Sequence, residues 1–267
     1  MVRFAVPPVS AHGPSVHPPK LSVVALIPAR YDSSRLPGKV LAEISGKTMI
    51  EHVYQRVSQA SSVGVVMVAT DDQRILDTVE RFGGRGRLTS KGHESGTDRI
   101  AEIAAELTAD LIVNVQADEP LIAPLAIDDA IEAFKRDPTL QMSTLRRRIY
   151  SQDDLQNPNI VKVVCDADGH ALYFSRAPIP YTREGCPPPP LWRHIGLYVY
   201  RRECLLRLTR LPQTAMERAE ALEQLRALEN GVRIRAVETT FDSVGVDTPE
   251  DLDRVRRIIA TNLSMAR

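Results

Sequence analysis

Cysteine is scarce in this chain. There are three, Cys165, Cys186 and Cys204, with no C-x-x-C pair among them. Neither a disulfide framework nor a structural zinc site is expected, and a reduced, cytoplasmic setting fits best. An excess of charge of one sign is also missing: 34 basic residues face 34 acidic ones. No global field therefore draws the chain to nucleic acid or to an anionic membrane. No apolar run approaches the length of a membrane span, so no membrane insertion is expected. Residues 1–20 hold five prolines and lack an apolar core of signal-peptide length. They are expected to form a mobile extension, or to lie upstream of the true start. Residues 21–262 are then expected to form one α/β domain, since that length supports a full core. No internal repeat is present.

What is there is organised around residues 25–39, Ala-Leu-Ile-Pro-Ala-Arg-Tyr-Asp-Ser-Ser-Arg-Leu-Pro-Gly-Lys. The run from Val23 to Ile27 reads as a strand buried on both faces of a parallel sheet. Pro28 cannot donate to a ladder, so the strand is expected to end there. Loops at the carboxyl end of parallel strands are where open α/β sheets bind ligands. This one carries Arg30, Arg35, Lys39, Ser33 and Ser34, which suits a polyanion such as a triphosphate. A solvated basic loop would read the same way. A Walker loop is absent.

Strand and helix signals then alternate. Helices are expected over about 48–60, around Ile75 to Phe82, and around Ile100 to Leu107. Strands are expected over 65–69, near 87–88 and over 111–115. This alternation predicts a doubly wound, mostly parallel sheet. The second half differs: 161–164 and 171–174 flank Asp166-Ala167-Asp168-Gly169 as a hairpin. A proline-rich loop spans 186–190, and strands follow over 195–200 and 232–237. One helix is expected from Glu217 to Asn230, closed by Gly231. Another starts at Thr248-Pro249-Glu250-Asp251.

Many short segments in this order resemble the 3-deoxy-manno-octulosonate (KDO) cytidylyltransferases, also called CMP-KDO synthetases. They are Ile-Pro-Ala-Arg-Tyr at 27–31, Arg-Leu-Pro-Gly-Lys at 35–39, Ala-Thr-Asp-Asp at 69–72, and His93 with Ser95-Gly96-Thr97. Val-Asn-Val-Gln at 113–116, Asp-Glu-Pro at 118–120, Asn-Pro-Asn at 157–159 and Leu-Tyr-Phe-Ser-Arg at 172–176 follow. Arg-His-Ile-Gly at 193–196, Leu-Glu-Gln-Leu-Arg at 222–226 and Gly-Val-Asp-Thr-Pro-Glu-Asp-Leu at 245–252 complete the set. Each segment is weak alone; together and in order they are specific. Ala117 departs from the family, which usually has glycine there.

The resemblance implies transfer of CMP from CTP to KDO with release of pyrophosphate, feeding lipopolysaccharide or capsule assembly. It implies a nucleotidyltransferase-type fold with a smaller β-rich part, placed at 160–205, that makes a homodimer contact. It implies Arg30, Ser33, Arg35 and Lys39 on the CTP phosphates, and Gln116, Ser95 and Thr97 near the cytidine. Asp118 and Asp247 would hold Mg2+. Arg176, His194, Tyr198, Glu223 and Gln224 would line the sugar pocket. Plainer roles stay open. Asp247 could serve only the following helix N-terminus and Asp118 only a turn. Tyr198 could be core, His194 a packed ring, and Glu223 and Gln224 a solvated face. Transfer to another acidic 2-keto sugar and a catalytically idle nucleotide-binding relative are the competing functions. The second is weakened because Lys39, Asp118 and Asp247 are all present.

Overall fold

A computed structural model describes residues 21–32, 36–187, 189–242 and 244–265. The expected extension, Ser33 and Arg35 lie outside these residues. The first half alternates as the apolar spacing predicts: β1 (Val23–Ala29), the small hairpin β2 (Glu43–Ile44) and β3 (Lys47–Thr48), α1 (Met49–Ser58), β4 (Val65–Thr70), α2 (Gln73–Arg81), β5 (Gly86–Leu88), α3 (Gly96–Glu106) and β6 (Leu111–Asn114). A 3-10 turn at Lys39–Leu41 precedes β2. The chain continues through α4 (Pro124–Arg136), β7 (Met142–Arg148), α5 (Gln152–Gln156), the hairpin β8 (Lys162–Cys165) and β9 (Ala171–Ser175), and β10 (Trp192–Arg201). It ends with α6 (Arg202–Leu208), α7 (Ala215–Glu220), α8 (Gln224–Glu229), β11 (Ile234–Glu238) and α9 (Pro249–Met265).

The main sheet runs β11-β7-β10-β6-β1-β4-β5. Parallel pairing joins β6 to β1, β1 to β4 and β4 to β5, and also joins β7 to β11. Along this path β10 is the strand that runs against its neighbours β6 and β7, and the β8–β9 hairpin beside it is antiparallel too. The expected doubly wound, mostly parallel α/β sheet is therefore present. Alternate residues of β1 feed opposite cores: Val23, Ala25 and Ile27 pack with α1, α2 and α4, and Leu26 packs with α3, α6 and α8. Burial on both faces is what keeps β1 apolar throughout and β6 apolar up to Asn114, at its carboxyl end.

Several elements differ from the sequence expectation. β1 runs one residue past Pro28, which sits near the end of its ladder where a lost donor costs least. α4 and β7 were not foreseen. α4 places Ile127, Ile131 and Phe134 on the core at helical spacing. β7 buries its first four residues, while its three half-buried arginines form the end that masks a strand pattern. β10, within the 160–205 stretch expected to form the smaller β-rich part, is an interior strand of the main sheet; the β8–β9 hairpin branches from its start.

The single helix expected over 217–230 is two. Ala221 adopts a left-handed conformation (φ 51°) between α7 and α8, and an α-helix cannot pass through it. Composition gives no sign of this, because every residue there is an acceptable helix former. The break is clamped from inside. Arg226 Nε and Nη2 donate to the two carboxylate oxygens of Glu217 at 2.9 and 2.6 Å, with both side chains below 10 % exposed. Burial alone would raise the Glu217 pKa; the guanidinium and the Thr214 N–H outweigh it and hold the carboxyl below its usual range.

This pair makes a stability prediction. Arg226→Met strands a buried carboxylate and should cost about 3–5 kcal/mol in urea unfolding, whereas adding Glu217→Leu should recover most of the loss. The folded-state pKa of Glu217 lies below its unfolded value. The pair's contribution is thus complete above pH ~4.5 and disappears as pH falls through the folded pKa. Equal acid sensitivity in the wild type and the double variant would contradict this.

Candidate active site

The carboxyl ends of β1, β4 and β6 open on one side of the sheet, and a cavity of about 280 Å³ lies there. Arg30 follows β1, Lys39 opens the 3-10 turn, Gln116 to Asp118 follow β6, and Asp247 precedes α9; all of them line the cavity. Gly38 (φ 68°) makes the turn that aims Lys39 inward, donating its N–H to the Tyr31 carbonyl at 2.9 Å. Gly96 begins α3 against Pro28, whose Cγ would lie 3.1 Å from an added Cβ. A larger residue would push the helix away from the end of β1.

Asp118 and Asp247 are far apart in sequence yet share a partner. The Val246 N–H donates to the Asp118 carbonyl at 2.9 Å and ties the two segments together. Lys39 Nζ donates to Asp118 Oδ2 at 2.6 Å, to Asp247 Oδ1 at 3.0 Å and to the Val246 carbonyl at 3.0 Å. Burial of Lys39 works against its charge, but the two carboxylates prevail and raise its pKa. The helix start of α9 is served by other groups: Asp251 accepts from the Thr248 N–H, and Thr248 Oγ1 accepts from the Asp251 N–H. Asp247 therefore has an ion-pair partner apart from that cap. Ala117 is buried and is not among the positive-φ residues, so the usual family glycine is not needed here for its backbone freedom.

A second cavity of about 210 Å³ adjoins the first, with Gly96 and Gln116 lining both. Thr97, Tyr198, Glu223 and Gln224 line it, together with Tyr200 and Arg226. The Ala221 break turns Glu223 and Gln224 inward. A register shift between Ile195 and Tyr198 in β10 sets the tyrosine. Such a bulge would leave carbonyls without ladder partners, and the Thr144 hydroxyl lies 2.8 Å from that of Leu197 and 3.2 Å from that of Ile195. Burial raises the Glu223 pKa, partly offset by a hydrogen bond to Thr97. Gln224 Nε2 and Asn114 Oδ1 are buried without a hydrogen-bond partner. Asn114 lies beside Thr97, with its Nδ2 at 3.4 Å from Oγ1. Orphaned polar atoms of this kind suit a hydroxyl-rich ligand.

Three placements depart from expectation. Arg176 does not line either cavity. Its guanidinium donates to the carbonyls of Glu220 at 2.8 Å and Pro158 at 3.1 Å, bracing the α7–α8 break from behind. His194 also stays out of the walls, packed edge-on to Phe174 (5.0 Å between centroids) and beside Tyr198 (5.4 Å). Thr97 faces the second cavity, where the glutamate lies, and is absent from the wall of the first. Ser95 lines the first cavity, but its hydroxyl is engaged in capping α3, accepting from the Asp98 N–H at 3.0 Å.

Sequence reasoning left out four side chains at the site. Arg99, beneath the first cavity, donates to Asp71 at 2.8 Å and to Thr89 Oγ1 at 2.7 Å. His93 lines the same cavity with its Nε2 against Glu102. Tyr200 and Arg226 complete the second cavity. A signal for His93 and Arg99 was available, since both flank Ser95-Gly96-Thr97.

The His194 environment makes a pH prediction. Burial and neighbouring Arg193 lower its pKa to about 3. The Thr144 hydroxyl beside Nε2 also faces carbonyls, so its lone pair is left for the Nε2–H. The ring should stay neutral from pH 5.5 to 8. The unfolded ring takes its proton near pH 6.5, so stability should fall as pH drops below that value. An imidazole titration of His194 near pH 6.5 by NMR would refute this.

The family described as cytidylyltransferase matches residues 24–234. A 3-deoxy-manno-octulosonate cytidylyltransferase of Geobacter metallireducens is 54% identical over 245 residues, covering 88% of this chain and 96% of that protein. One from Solibacter usitatus is 50% identical over 241 residues, covering 90% and 96%. The solved structure of a CMP:2-keto-3-deoxy-manno-octonic acid synthetase complexed with CTP superposes with a TM-score of 0.87 at 44% identity, covering 90% of this chain and 99% of that one. A 4-diphosphocytidyl-2C-methyl-D-erythritol synthase of Anaerococcus prevotii, 12% identical with a TM-score of 0.60, shares the fold. With identity this high across most of both chains, and the segments from Ile27 to Leu252 in order, the chain belongs to the 3-deoxy-manno-octulosonate cytidylyltransferase family.

Proposed function

We propose that this chain transfers CMP from CTP to KDO. The carrying observation is the pair of adjoining cavities that meet at Gln116 and Gly96: one lined by cations and carboxylates, the other by hydrogen-bonding groups. The first suits a triphosphate, with Arg30 and Lys39 as phosphate partners and Gln116 toward the base. Ser33 and Arg35 belong to the same phosphate loop in this reading. The second suits a polyhydroxylated acid, with Glu223, Gln224 and Tyr198 at its walls and Arg176 and His194 holding those walls from behind. The anomeric oxygen of the sugar acid attacks the α-phosphorus, the bond to the β-phosphate oxygen breaks, and pyrophosphate leaves. Fixed cations stabilise the charge that moves onto it.

The donor set also fits Mg2+. Two carboxylates and the Val246 carbonyl converge on one cationic centre, and oxygen ligands of this type are what magnesium takes. Asp118 and Asp247 would hold it. When bound, Mg2+ would lower the pKa of the sugar hydroxyl and offset charge on phosphorus. A homodimer contact within 160–205 is part of this reading, supported by Leu172 at 62% and Tyr181 at 88% exposure.

Pyrophosphate release with each nucleoside triphosphate against a panel of 2-keto sugar acids tests the reaction. Turnover is expected with CTP and KDO. Turnover only with another acid moves the substrate, and none with any acid leaves an idle relative. Asp118→Asn and Asp247→Asn should each lower kcat about a hundredfold or more, with the double variant far less than multiplicatively worse because the two act as a unit. Fully multiplicative losses would separate them. For the assembly, Leu172→Glu with Tyr181→Glu should yield a monomer in sedimentation. A dimer that survives the charges places the contact elsewhere.

A further inference from the structure

Lys39 holds a position that conflicts with a simple phosphate clamp. Its ammonium lies within 3.0 Å of Asp118 Oδ2, Asp247 Oδ1 and the Val246 carbonyl, the same oxygens that suit a divalent cation. Its side chain is 13% exposed, while Asp118 is 30% and Asp247 51% exposed. The carboxylates are thus open to the cavity, and the lysine comes up beneath them. Magnesium needs oxygens at about 2.0–2.1 Å, so these three oxygens cannot serve it while an ammonium remains among them. A dication and an ammonium sharing two carboxylates would also repel each other strongly in a partly buried site.

We propose that Lys39 is the resident counter-ion of the metal site, and that cation binding displaces it onto the triphosphate. This rests on the metal reading given above. Without a metal, the ammonium neutralises the two carboxylates and keeps them converged. With metal and nucleotide, the oxygens pass to the metal, and Lys39 turns to the anion nearest it, the phosphates in the same cavity as Arg30. One lysine then fills two roles in succession. The exchange couples the ligands: the metal alone must pay to evict a charge that has no other anion to meet, whereas CTP supplies one. Metal and CTP should therefore each strengthen the other's binding, and Lys39 should carry part of that coupling.

Mn2+ binding followed by electron paramagnetic resonance, without sugar acid, tests this on the full chain. In the absence of nucleotide, Lys39→Met should bind Mn2+ about ten- to a hundredfold more tightly than wild type, because the competing charge is gone. Lys39→Arg, which keeps a cation, should bind it no more tightly than wild type. CTP should strengthen Mn2+ binding by a larger factor in wild type than in Lys39→Met. Lys39→Gln replaces the methionine variant if thermal melting shows that the latter does not fold. Tighter Mn2+ binding in the absence of CTP, together with the smaller CTP gain, supports the exchange. Equal Mn2+ affinity in wild type and the neutral variants, or equal CTP gains, overturns it. If Mn2+ binds to none of the proteins even with CTP, and Asp118→Asn changes nothing, the metal reading itself fails.

Discussion

The backbone bond from the Val246 N–H to the Asp118 carbonyl is the tie on which the first cavity depends. It joins the loop after β6 to the segment before α9, and neither segment is otherwise a neighbour in sequence. Once tied, Asp118 and Asp247 both reach Lys39, and the 3-10 turn is drawn to the same point. The parallel sheet makes this possible. β1, β4 and β6 run the same way, so the loops after them open together, and the polar groups those buried strands cannot carry collect at that edge.

The second cavity has a different origin. It is shaped by two interruptions of regular structure. One is the left-handed residue Ala221, and the other the irregular register of β10 against β7. A left-handed alanine costs roughly 1–2 kcal/mol, and it persists only where its surroundings hold it. Here Arg226 and Glu217 hold it from the core side, while Arg176 and the Glu220 carboxylate hold it from the other. The β10 irregularity is held by Thr144, with His194 packed behind Tyr198. The shape of the second cavity therefore depends on residues that do not line it, such as Glu217, Arg176 and Thr144.

This explains which parts were legible in the sequence. The strands were, because β1 is apolar throughout and β4 and β6 are apolar up to their last residues, Thr70 and Asn114. Part of the first cavity was too, because Arg30 and Asp118 stand just past the ends of β1 and β6, whereas Lys39 and Asp247 reach it from the 3-10 turn and from the segment before α9. The α7–α8 break was not: Ala221 carries no mark of a left-handed residue, and the force that holds it comes from Arg226 and Arg176. Arg176 and His194 were assigned to the sugar pocket by resemblance. A motif reports that a residue type belongs near a site, and it does not separate a wall from a strut. β7 was hidden by its own arginines at 146–148, although its pairing with β10 and β11 is regular over most of its length.

The charge arrangement of the first cavity follows from these constraints. Two carboxylates brought together by backbone geometry would repel and splay unless a cation lay between them. The 3-10 turn supplies one from within the chain, and burial of Lys39 makes that pairing stronger than it would be in water. The site is thus balanced before any ligand enters. A triphosphate that arrives alone meets a lysine already engaged and finds Arg30 as the more exposed cation. A triphosphate that arrives with a divalent cation brings each partner its replacement. Opposite charges held in one cavity by the fold therefore favour a ligand that carries both signs over one that carries either.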